Sequence, residues 1–133
     1  MKEEIISIET VVSKMLIEKN LTISTAESCT GGLVSATLIN YPGISSVFIE
    51  GCVTYSNESK INRLGVNPNT LKIHGAVSEE TAREMAEGIA KNFDTNVAIS
   101  TTGIAGPDGG TIDKPVGLVY IGIYINGKTT VNK

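Results

Sequence analysis

The stretch LTISTAESCTGGLVSATLIN, residues 21–40, predicts a strand, a turn and a helix in that order. Its first residues, 21–26, show an alternating pattern of apolar and polar side chains and include several β-branched residues. Both features are typical of a strand. Gly31 and Gly32 interrupt this pattern, and the apolar segment that follows them predicts a helix. Ser28 is therefore expected at the carboxyl end of a strand, where ligands gather in open α/β sheets.

The segments around this unit also alternate between helices and strands. Helices are predicted at residues 3–19, 57–64 and 79–93, the last of them capped by Ser78. Further strands are predicted at residues 47–56, 95–103 and 117–125. The Gly, Pro and Asn content of residues 65–77 and 104–116 predicts loops. This order predicts an α/β fold, in which a layered, mixed β-sheet is covered by helices within a single domain.

Two details of these elements are also predicted. The apolar stripes of the first and last helices are expected to face the core, and they include Ile5, Ile8, Met15 and Phe93. Gly51 interrupts an otherwise regular strand, which indicates a bulge or a close approach of another group to the backbone.

Composition excludes several classes of protein. The chain has 133 residues, 41% of them hydrophobic and 19% charged, which is typical of one globular domain. No apolar run approaches the roughly 20 residues that a membrane span requires. The net charge is −3, and the basic residues are scattered, so no nucleic-acid partner is expected. The acidic N-terminal residues do not resemble a signal peptide, which predicts a cytoplasmic protein.

The first candidate site is TAESCTGG, residues 25–32. Acyl transfer at Ser28 or Cys29, anion capture by backbone N–H groups, and an ordinary turn into a helix all fit this stretch. Thr30 offers a hydroxyl, and Gly31 and Gly32 would let a ligand approach the backbone closely.

The second candidate site is VTYSNESK, residues 53–60, which places Tyr55 and Lys60 near another strand end. A nucleophilic serine needs a base, and the single histidine, His74, is typical of a surface loop residue. A lysine can act as the base if burial lowers its pKa. The spacing matches no serine–lysine or tyrosine–lysine motif, so an exposed helix lysine is the alternative.

The third candidate site is TTGIAGPDGG, residues 101–110. A glycine-rich loop after a buried strand can present N–H groups to an oxyanion or a phosphate, and Thr101 or Thr102 can add a hydroxyl. A long connection without a functional role is the alternative. Asp108 and Asp113 are too isolated for a metal site, and Cys29 and Cys52 lack metal-ligand spacing.

Taken together, these stretches closely resemble the CinA C-terminal domain family, whose stand-alone members are nicotinamide-nucleotide amidases. The resemblance covers about residues 10–125, and four of the stretches that carry it are TAESCTGG (25–32), YPGISSVFIEGCVTYSNESK (41–60), GAVSEETAREMAEG (75–88) and STTGIAGPDGG (100–110).

The resemblance implies hydrolysis of the carboxamide of nicotinamide mononucleotide, without a metal or other cofactor, in pyridine-nucleotide salvage. By motif, Ser28 would be the nucleophile, Lys60 its base, and Tyr55 a supporting hydrogen-bond or proton-relay group. Thr30, Gly31 and Gly32 would contact the substrate near its phosphate. The oxyanion or substrate-binding wall would be formed by Thr102, Gly103, Ala105 and Gly106.

The resemblance also raises an expectation about the end of the chain. Chains of this family usually continue past GLVYIGIYING, residues 117–127, into another strand and a closing helix, which this sequence is expected to lack. An open strand edge then favours a homo-oligomer. Two alternatives to the amidase stay open, namely a non-catalytic nucleotide-phosphate binding or scaffold module and a serine hydrolase for another amide or ester.

Overall fold

The computed structural model describes residues 4–133 and contains the helices and strands of an α/β fold. The strands are β1 (Ile23–Glu27), β2 (Phe48–Val53), β3 (Val97–Gly103), β4 (Val119–Ile125) and β5 (Lys128–Asn132). The helices are α1 (Ile8–Glu18), α2 (Leu33–Ile39), α3 (Asn57–Leu64), α4 (Pro68–His74) and α5 (Glu79–Phe93), with a short 3₁₀ helix at Ile44–Ser46.

The strands form one mixed sheet in the order β2-β1-β3-β4-β5. β1 is parallel to both of its neighbours, β2 and β3, whereas β4 and β5 are antiparallel additions. Glu27 is in register with Val53 on one side and with Thr101 on the other, so three strands end at the same edge. The predicted α/β fold with a mixed sheet in a single domain is confirmed.

Helices cover both faces of this sheet. On one face, Met85 and Ile89 of α5 pack with Ala26, Ala98 and residues of α3 and α4. On the other face, Leu16 of α1 and Leu38 of α2 pack against Ile23 and Val97. Full burial of one such large aliphatic side chain contributes about 1.5–3 kcal/mol, so the two clusters hold the layers together. All five residues of β1 are buried because this strand lies at the centre of the layers.

The ends of two helices differ from the prediction. α1 begins at Ile8, and Ile5 and Ile8 are exposed, so the predicted helix at residues 4–7 is wrong. Its predicted start at residue 3 lies outside the described residues. Met15 and Phe93 were also expected in the core, but they are 49% and 41% exposed. Met15 lies at the edge of the apolar stripe of α1, and Phe93 is the last residue of α5, so the neighbouring layer does not cover either side chain.

Part of the predicted loop at residues 65–77 is helical. Asn67 caps α4 by accepting a hydrogen bond from the Asn69 N–H at 2.9 Å, Pro68 occupies its first turn, and Gly75 ends it. Asparagine and proline begin helices as well as loops, so their presence alone did not distinguish the two. The structure also pairs β5 with β4, although no strand was predicted after Ile125.

The expected close approach at Gly51 is present. A Cβ atom at this position would lie 2.5 Å from the Ser35 hydroxyl and 2.8 Å from the Thr25 hydroxyl. Ser35 belongs to α2 and Thr25 to β1, so the absence of a side chain at Gly51 lets α2 sit close to the sheet beside the predicted site.

Candidate active site

The candidate site lies at the edge of the sheet where β1, β2 and β3 end. Ser28 follows β1, and its N–H donates to the Thr101 carbonyl of β3 at 3.0 Å. Thr54 follows β2, and its N–H donates to the Glu27 carbonyl at 2.9 Å. These two bonds extend the strand pairing by one residue on each side, so the positions of Ser28 and Thr54 are fixed by the sheet.

Helix α3 brings Lys60 back to this edge. The Ser56 side chain begins the helix by accepting a hydrogen bond from the Ser59 N–H at 3.0 Å, and Gly65 ends it in a left-handed conformation. Lys60 and Leu64 are one helical turn apart and therefore share a face. That face packs on the core, and Lys60 is only 1% exposed. The alternative of an exposed helix lysine is thus excluded.

Ser28 and Lys60 form a direct hydrogen bond. The Lys60 Nζ atom is 3.0 Å from Ser28 Oγ, 2.8 Å from the Thr54 carbonyl and 3.0 Å from the Tyr55 carbonyl. A neutral amine has two hydrogens and one lone pair, and a carbonyl can only accept. If both carbonyls receive hydrogens from the neutral amine, its lone pair faces the Ser28 hydroxyl. This arrangement suits a base that takes the proton of Ser28.

The surroundings of Lys60 favour this neutral form. Burial lowers the pKa of Lys60 below its ordinary value of 10.5, because the charged ammonium loses hydration. Within residues 4–133, no carboxylate lies within ion-pair distance of this amine. A larger share of neutral amine is therefore present near neutral pH than for a lysine in water.

Cys29 is the second nucleophile next to this pair, and it differs from Ser28 in its surroundings. Its side chain is half-buried, and burial raises the pKa of the thiol above its ordinary value of 9.0. The thiol form is a much weaker nucleophile than the thiolate. Of these two neighbouring residues, only Ser28 has a nucleophilic atom that is hydrogen-bonded to Lys60.

A buried carboxylate that was not among the predicted site residues, that of Glu27, precedes Ser28 in the chain. Glu27 is 1% exposed and accepts hydrogen bonds from the turn after β1 and from the first turn of α2. The donors are Thr30 Oγ1 at 2.6 Å, Gly32 N at 3.2 Å, Val34 N at 2.9 Å, Ser35 N at 3.0 Å and Ser35 Oγ at 2.8 Å. Its position at the end of a strand that is followed by a turn into a helix was the available signal, because a carboxylate is favoured near the N-terminus of a helix.

These bonds decide the ionisation of Glu27. Burial alone would raise the pKa of the carboxyl group, but hydrogen bonds from Thr30, Ser35 and Val34 bring it below the ordinary value of 4.5. The group is therefore an anion at neutral pH, held by N–H and O–H donors alone.

The predicted substrate contacts in the turn are engaged within the chain. The Thr30 hydroxyl and the Gly32 N–H donate to Glu27, and the Gly31 N–H donates to the Ser28 carbonyl at 3.1 Å. The chain's own carboxylate thus occupies the anion position at the start of α2. The predicted phosphate contacts of Thr30, Gly31 and Gly32 stay predictions.

Two other N–H groups of this turn do not donate to Glu27 or to a backbone carbonyl. Within the described part of the chain, the N–H groups of Cys29 and Thr30 donate to no backbone or oxygen acceptor. Both adjoin the Cys29 thiol and help to stabilise its anionic form. They are the N–H groups nearest in sequence to the Ser28 hydroxyl that bond no oxygen atom of the described residues.

The other predicted residues are placed less centrally. Tyr55 contributes its carbonyl to Lys60, while its side chain is 76% exposed. The Thr102 hydroxyl donates to the Ala76 carbonyl at 2.7 Å, and Gly103 packs against the Leu118 carbonyl. The remaining two, Ala105 and Gly106, lie in the loop that follows β3. The predicted roles of these five residues stay predictions.

No group of three or more His, Cys, Asp or Glu side chains in residues 4–133 is arranged to hold a metal ion. None of the helices described has the length and apolar character needed to cross a bilayer.

Comparison with known proteins finds one matching family model and relatives that share one description. Residues 5–133 match the model of the family described as the CinA C-terminal domain. A competence-damage inducible protein of Clostridioides difficile (strain 630) is 71% identical over 127 residues, which are 96% of this chain and 30% of that protein. One from Clostridium beijerinckii is 69% identical over 130 residues, covering 98% of this chain and 32% of the relative. The chain thus spans about a third of the length of these relatives.

Solved structures share the same fold. The competence/damage inducible protein CihA of Agrobacterium tumefaciens superposes with a TM-score of 0.88 at 40% identity, covering 98% of this chain and 82% of that one. The competence damage-inducible protein A (ComA) of Klebsiella pneumoniae superposes with a TM-score of 0.89 at 37% identity, covering 93% of this chain and 77% of that one.

Proposed function

The chain belongs to the CinA C-terminal domain family, and from this membership and the site we propose that it is an amidohydrolase. Its proposed reaction converts nicotinamide mononucleotide and water to nicotinic acid mononucleotide and ammonia. The observation that carries the proposal is the buried hydrogen bond between Ser28 and Lys60. The choice of substrate is supported by the resemblance of the motifs around these residues to nicotinamide-nucleotide amidases.

The proposed reaction begins with proton transfer to Lys60. The neutral amine takes the Ser28 proton while Oγ attacks the carboxamide carbon, which forms a tetrahedral oxyanion. The carbonyls of Thr54 and Tyr55 then accept hydrogen bonds from the new ammonium. This stabilises the charge that Lys60 acquires, so the same contacts orient the base and stabilise the product of proton transfer.

The acyl-enzyme forms and breaks down through the same lysine. The Lys60 ammonium protonates the departing nitrogen, so ammonia leaves and Ser28 carries the acyl group as an ester. Lys60, neutral again, takes a proton from water as the water oxygen attacks the ester carbon. It returns that proton to Ser28 Oγ when the C–O bond breaks, which regenerates the starting state.

The remaining contacts with substrate follow the family resemblance. We assign the walls of the substrate site to the turn after β1, the end of β3 and the loop that follows β3. The turn is linked to β3 by the Thr30–Thr101 hydrogen bond of 2.8 Å. The proposed wall residues are Thr30, Gly31, Gly32, Thr102, Gly103, Ala105 and Gly106. Tyr55, with its exposed phenol, is proposed to relay protons or to hydrogen-bond the substrate.

The setting of the reaction is likewise a proposal. We infer that the protein acts in the cytoplasm as a homo-oligomer. The position of β5 at the edge of the sheet supports the second part, since an edge strand leaves backbone groups available for pairing with another chain.

Ammonia release from nicotinamide mononucleotide tests this proposal. The intact protein should release ammonia, whereas Ser28→Ala and Lys60→Ala should not, and Lys72→Ala on exposed α4 is the matched control. Binding of the nucleotide without ammonia release would support the alternative of a binding or scaffold module. Inertness toward this substrate, together with hydrolysis of other amides or esters that requires Ser28, would support a serine hydrolase of different specificity.

A further inference from the structure

We propose that Glu27 is a positioning residue for Ser28. By binding the turn of residues 28–32 and the start of α2, its carboxylate keeps the N–H groups of Cys29 and Thr30 in place to receive the oxyanion. This inference rests on the proposed function, in which Ser28 attacks a carbonyl carbon.

The burial of Glu27 means that its carboxylate depends on hydrogen bonds from the surrounding chain. A carboxylate removed from water is costly unless it is paired, and Glu27 is 1% exposed. Among the described residues no Lys, Arg or His lies within ion-pair distance of it. Compensation comes from the donors in the turn and in α2, so the carboxylate and these donors depend on each other.

The carboxylate also sets the direction of two hydroxyl chains. An ionised carboxylate can only accept hydrogen bonds, and each hydroxyl has one proton to donate. Thr30 gives its proton to Glu27, so in the Thr30–Thr101 contact of 2.8 Å it is Thr101 that donates. In the same way Ser35 donates to Glu27, so Thr25 donates to Ser35 across 2.7 Å.

One of these chains connects the turn to β3, and the other connects α2 to β1. Thr101 lies in β3 and also accepts the Ser28 N–H through its carbonyl. The turn is therefore held to β3 by a backbone bond at Ser28 and by a side-chain chain that ends at Glu27. The first of these would survive the loss of the carboxylate, whereas the second would lose its acceptor.

The donors that Glu27 leaves unused are suited to an oxyanion. In α/β hydrolases the N–H of the residue after the nucleophile is one of the oxyanion donors. Here that residue is Cys29, and the N–H of Thr30 follows it. Glu27 accepts the Gly32 N–H at the end of the turn and the Thr30 hydroxyl in its middle, so it limits the movement of the Thr30 peptide.

The reaction of Ser28 with a fluorophosphonate tests this inference without relying on the proposed substrate. The serine oxygen displaces fluoride at phosphorus, and intact-mass spectrometry gives the rate. Glu27→Gln keeps the shape but places an NH₂ group among donors, and it should lower the second-order rate constant by about 10², as for one lost oxyanion donor. Glu27→Asp should recover part of the rate, and Glu50→Gln, at a half-buried carboxylate on β2, should match the wild type.

Two further variants separate positioning from folding stability. Thr30→Val removes the hydroxyl that links the turn to Glu27, and it should slow labelling. Thr37→Ala removes a hydroxyl of α2 that donates to the Leu33 carbonyl instead of Glu27, so its effect should fall on the melting temperature while labelling stays near the wild-type rate. If Glu27→Gln does not fold, the comparison of Thr30→Val with Thr37→Ala decides the question.

The possible failures are distinguishable. No labelling of Ser28 in the wild type would overturn the nucleophile, and with it the proposed function. Labelling of a folded Glu27→Gln protein at the wild-type rate would overturn the positioning role alone. Equal labelling rates for Thr30→Val and Thr37→Ala would also overturn the positioning role. With an amide substrate, the loss in Glu27→Gln should fall on kcat and leave KM within about twofold, since only the transition state carries the oxyanion.

Discussion

Lys60 Nζ lies 3.0 Å from Ser28 Oγ, although the two residues are 32 positions apart in the chain. Parallel pairing of β1 with β2 ends both strands at one edge, and α3 then turns its buried face toward that edge. A nucleophile and a base thus meet in a site where water is largely excluded from the lysine.

Replacing Lys60 by arginine should abolish most activity. Arginine keeps a positive charge and can donate to the same carbonyls, but its pKa is too high for it to act as a base near neutral pH. General base catalysis contributes about 10²–10⁴ in rate, so a loss of that size is expected in fluorophosphonate labelling of Ser28. Lys72→Arg, on the exposed side of α4, is the control. A Lys60→Arg protein that labels as fast as the wild type would remove Lys60 from the role of base.

The reactivity of Ser28 should rise with pH. Only neutral Lys60 can accept the proton, and burial places its pKa below the ordinary 10.5. The labelling rate should therefore increase as the lysine loses its proton, with a midpoint below pH 10.5. A profile measured from pH 5 to 11, with inorganic fluoride release followed in parallel, checks this. A midpoint at or above 10.5 would contradict the lowered pKa.

The same pKa has a consequence for stability. Between the lowered pKa of folded Lys60 and 10.5, the unfolded chain binds more protons than the folded protein. The free energy of unfolding should therefore increase with pH in this window, and the charged lysine should destabilise the fold below it. Urea unfolding of the wild type and of Lys60→Met at several pH values measures the difference. The wild type should gain stability relative to Lys60→Met as the pH rises. A difference in the free energy of unfolding that is constant with pH would argue against a lowered pKa of Lys60.

Cys29→Ser should keep most of the activity. The thiol does not bind Lys60, and burial raises its pKa above 9.0, so its nucleophilic form is scarce at neutral pH. Alkylation by iodoacetamide should accordingly be slow at pH 7 and faster above pH 9. Ammonia release that is lost in Cys29→Ser but retained in Ser28→Ala would reverse the assignment of the nucleophile.

Gly88→Ala should destabilise the protein and disturb the site from a distance. A Cβ atom at Gly88 of α5 would lie 2.0 Å from the Leu64 carbonyl at the end of α3, so the two helices must move apart. Overpacking of this kind costs about 1–3 kcal/mol. Since α3 carries Lys60, labelling of Ser28 should slow as well. Glu87→Ala, at an exposed position on the same helix, is the control in thermal unfolding and in labelling.

Much of the fold is predictable from local patterns. The strand at Ile23–Glu27 and the helices at Asn57–Leu64 and Glu79–Phe93 follow from periodicity, turn residues and a serine cap. α4 is not predictable from composition alone, because proline and asparagine begin helices as well as loops. β5 is short, and its exposed residues alternate with half-buried ones without a strong apolar pattern.

The site is harder to predict from local patterns. The burial of Lys60 depends on which face of α3 meets α5, and this is a property of the assembled layers. The role of Glu27 is not predictable from the sequence, because its donors are spread over the turn and α2 and form no recognisable motif. The Tyr55 carbonyl binds Lys60, whereas the Tyr55 side chain is exposed to solvent. Sequence periodicity does not predict that a residue contributes its backbone instead of its side chain to a site.

The parallel pairing of β1 and β2 also makes Ser28 a reporter of folding. In an extended chain its hydroxyl and the Lys60 amine are ordinary groups in water, each far from the other and each with its usual reactivity. The enhanced nucleophile comes into being only when the sheet and α3 assemble. A single chemical probe that labels Ser28 would thus count native molecules in a mixture, and newly made or misfolded chains would escape it.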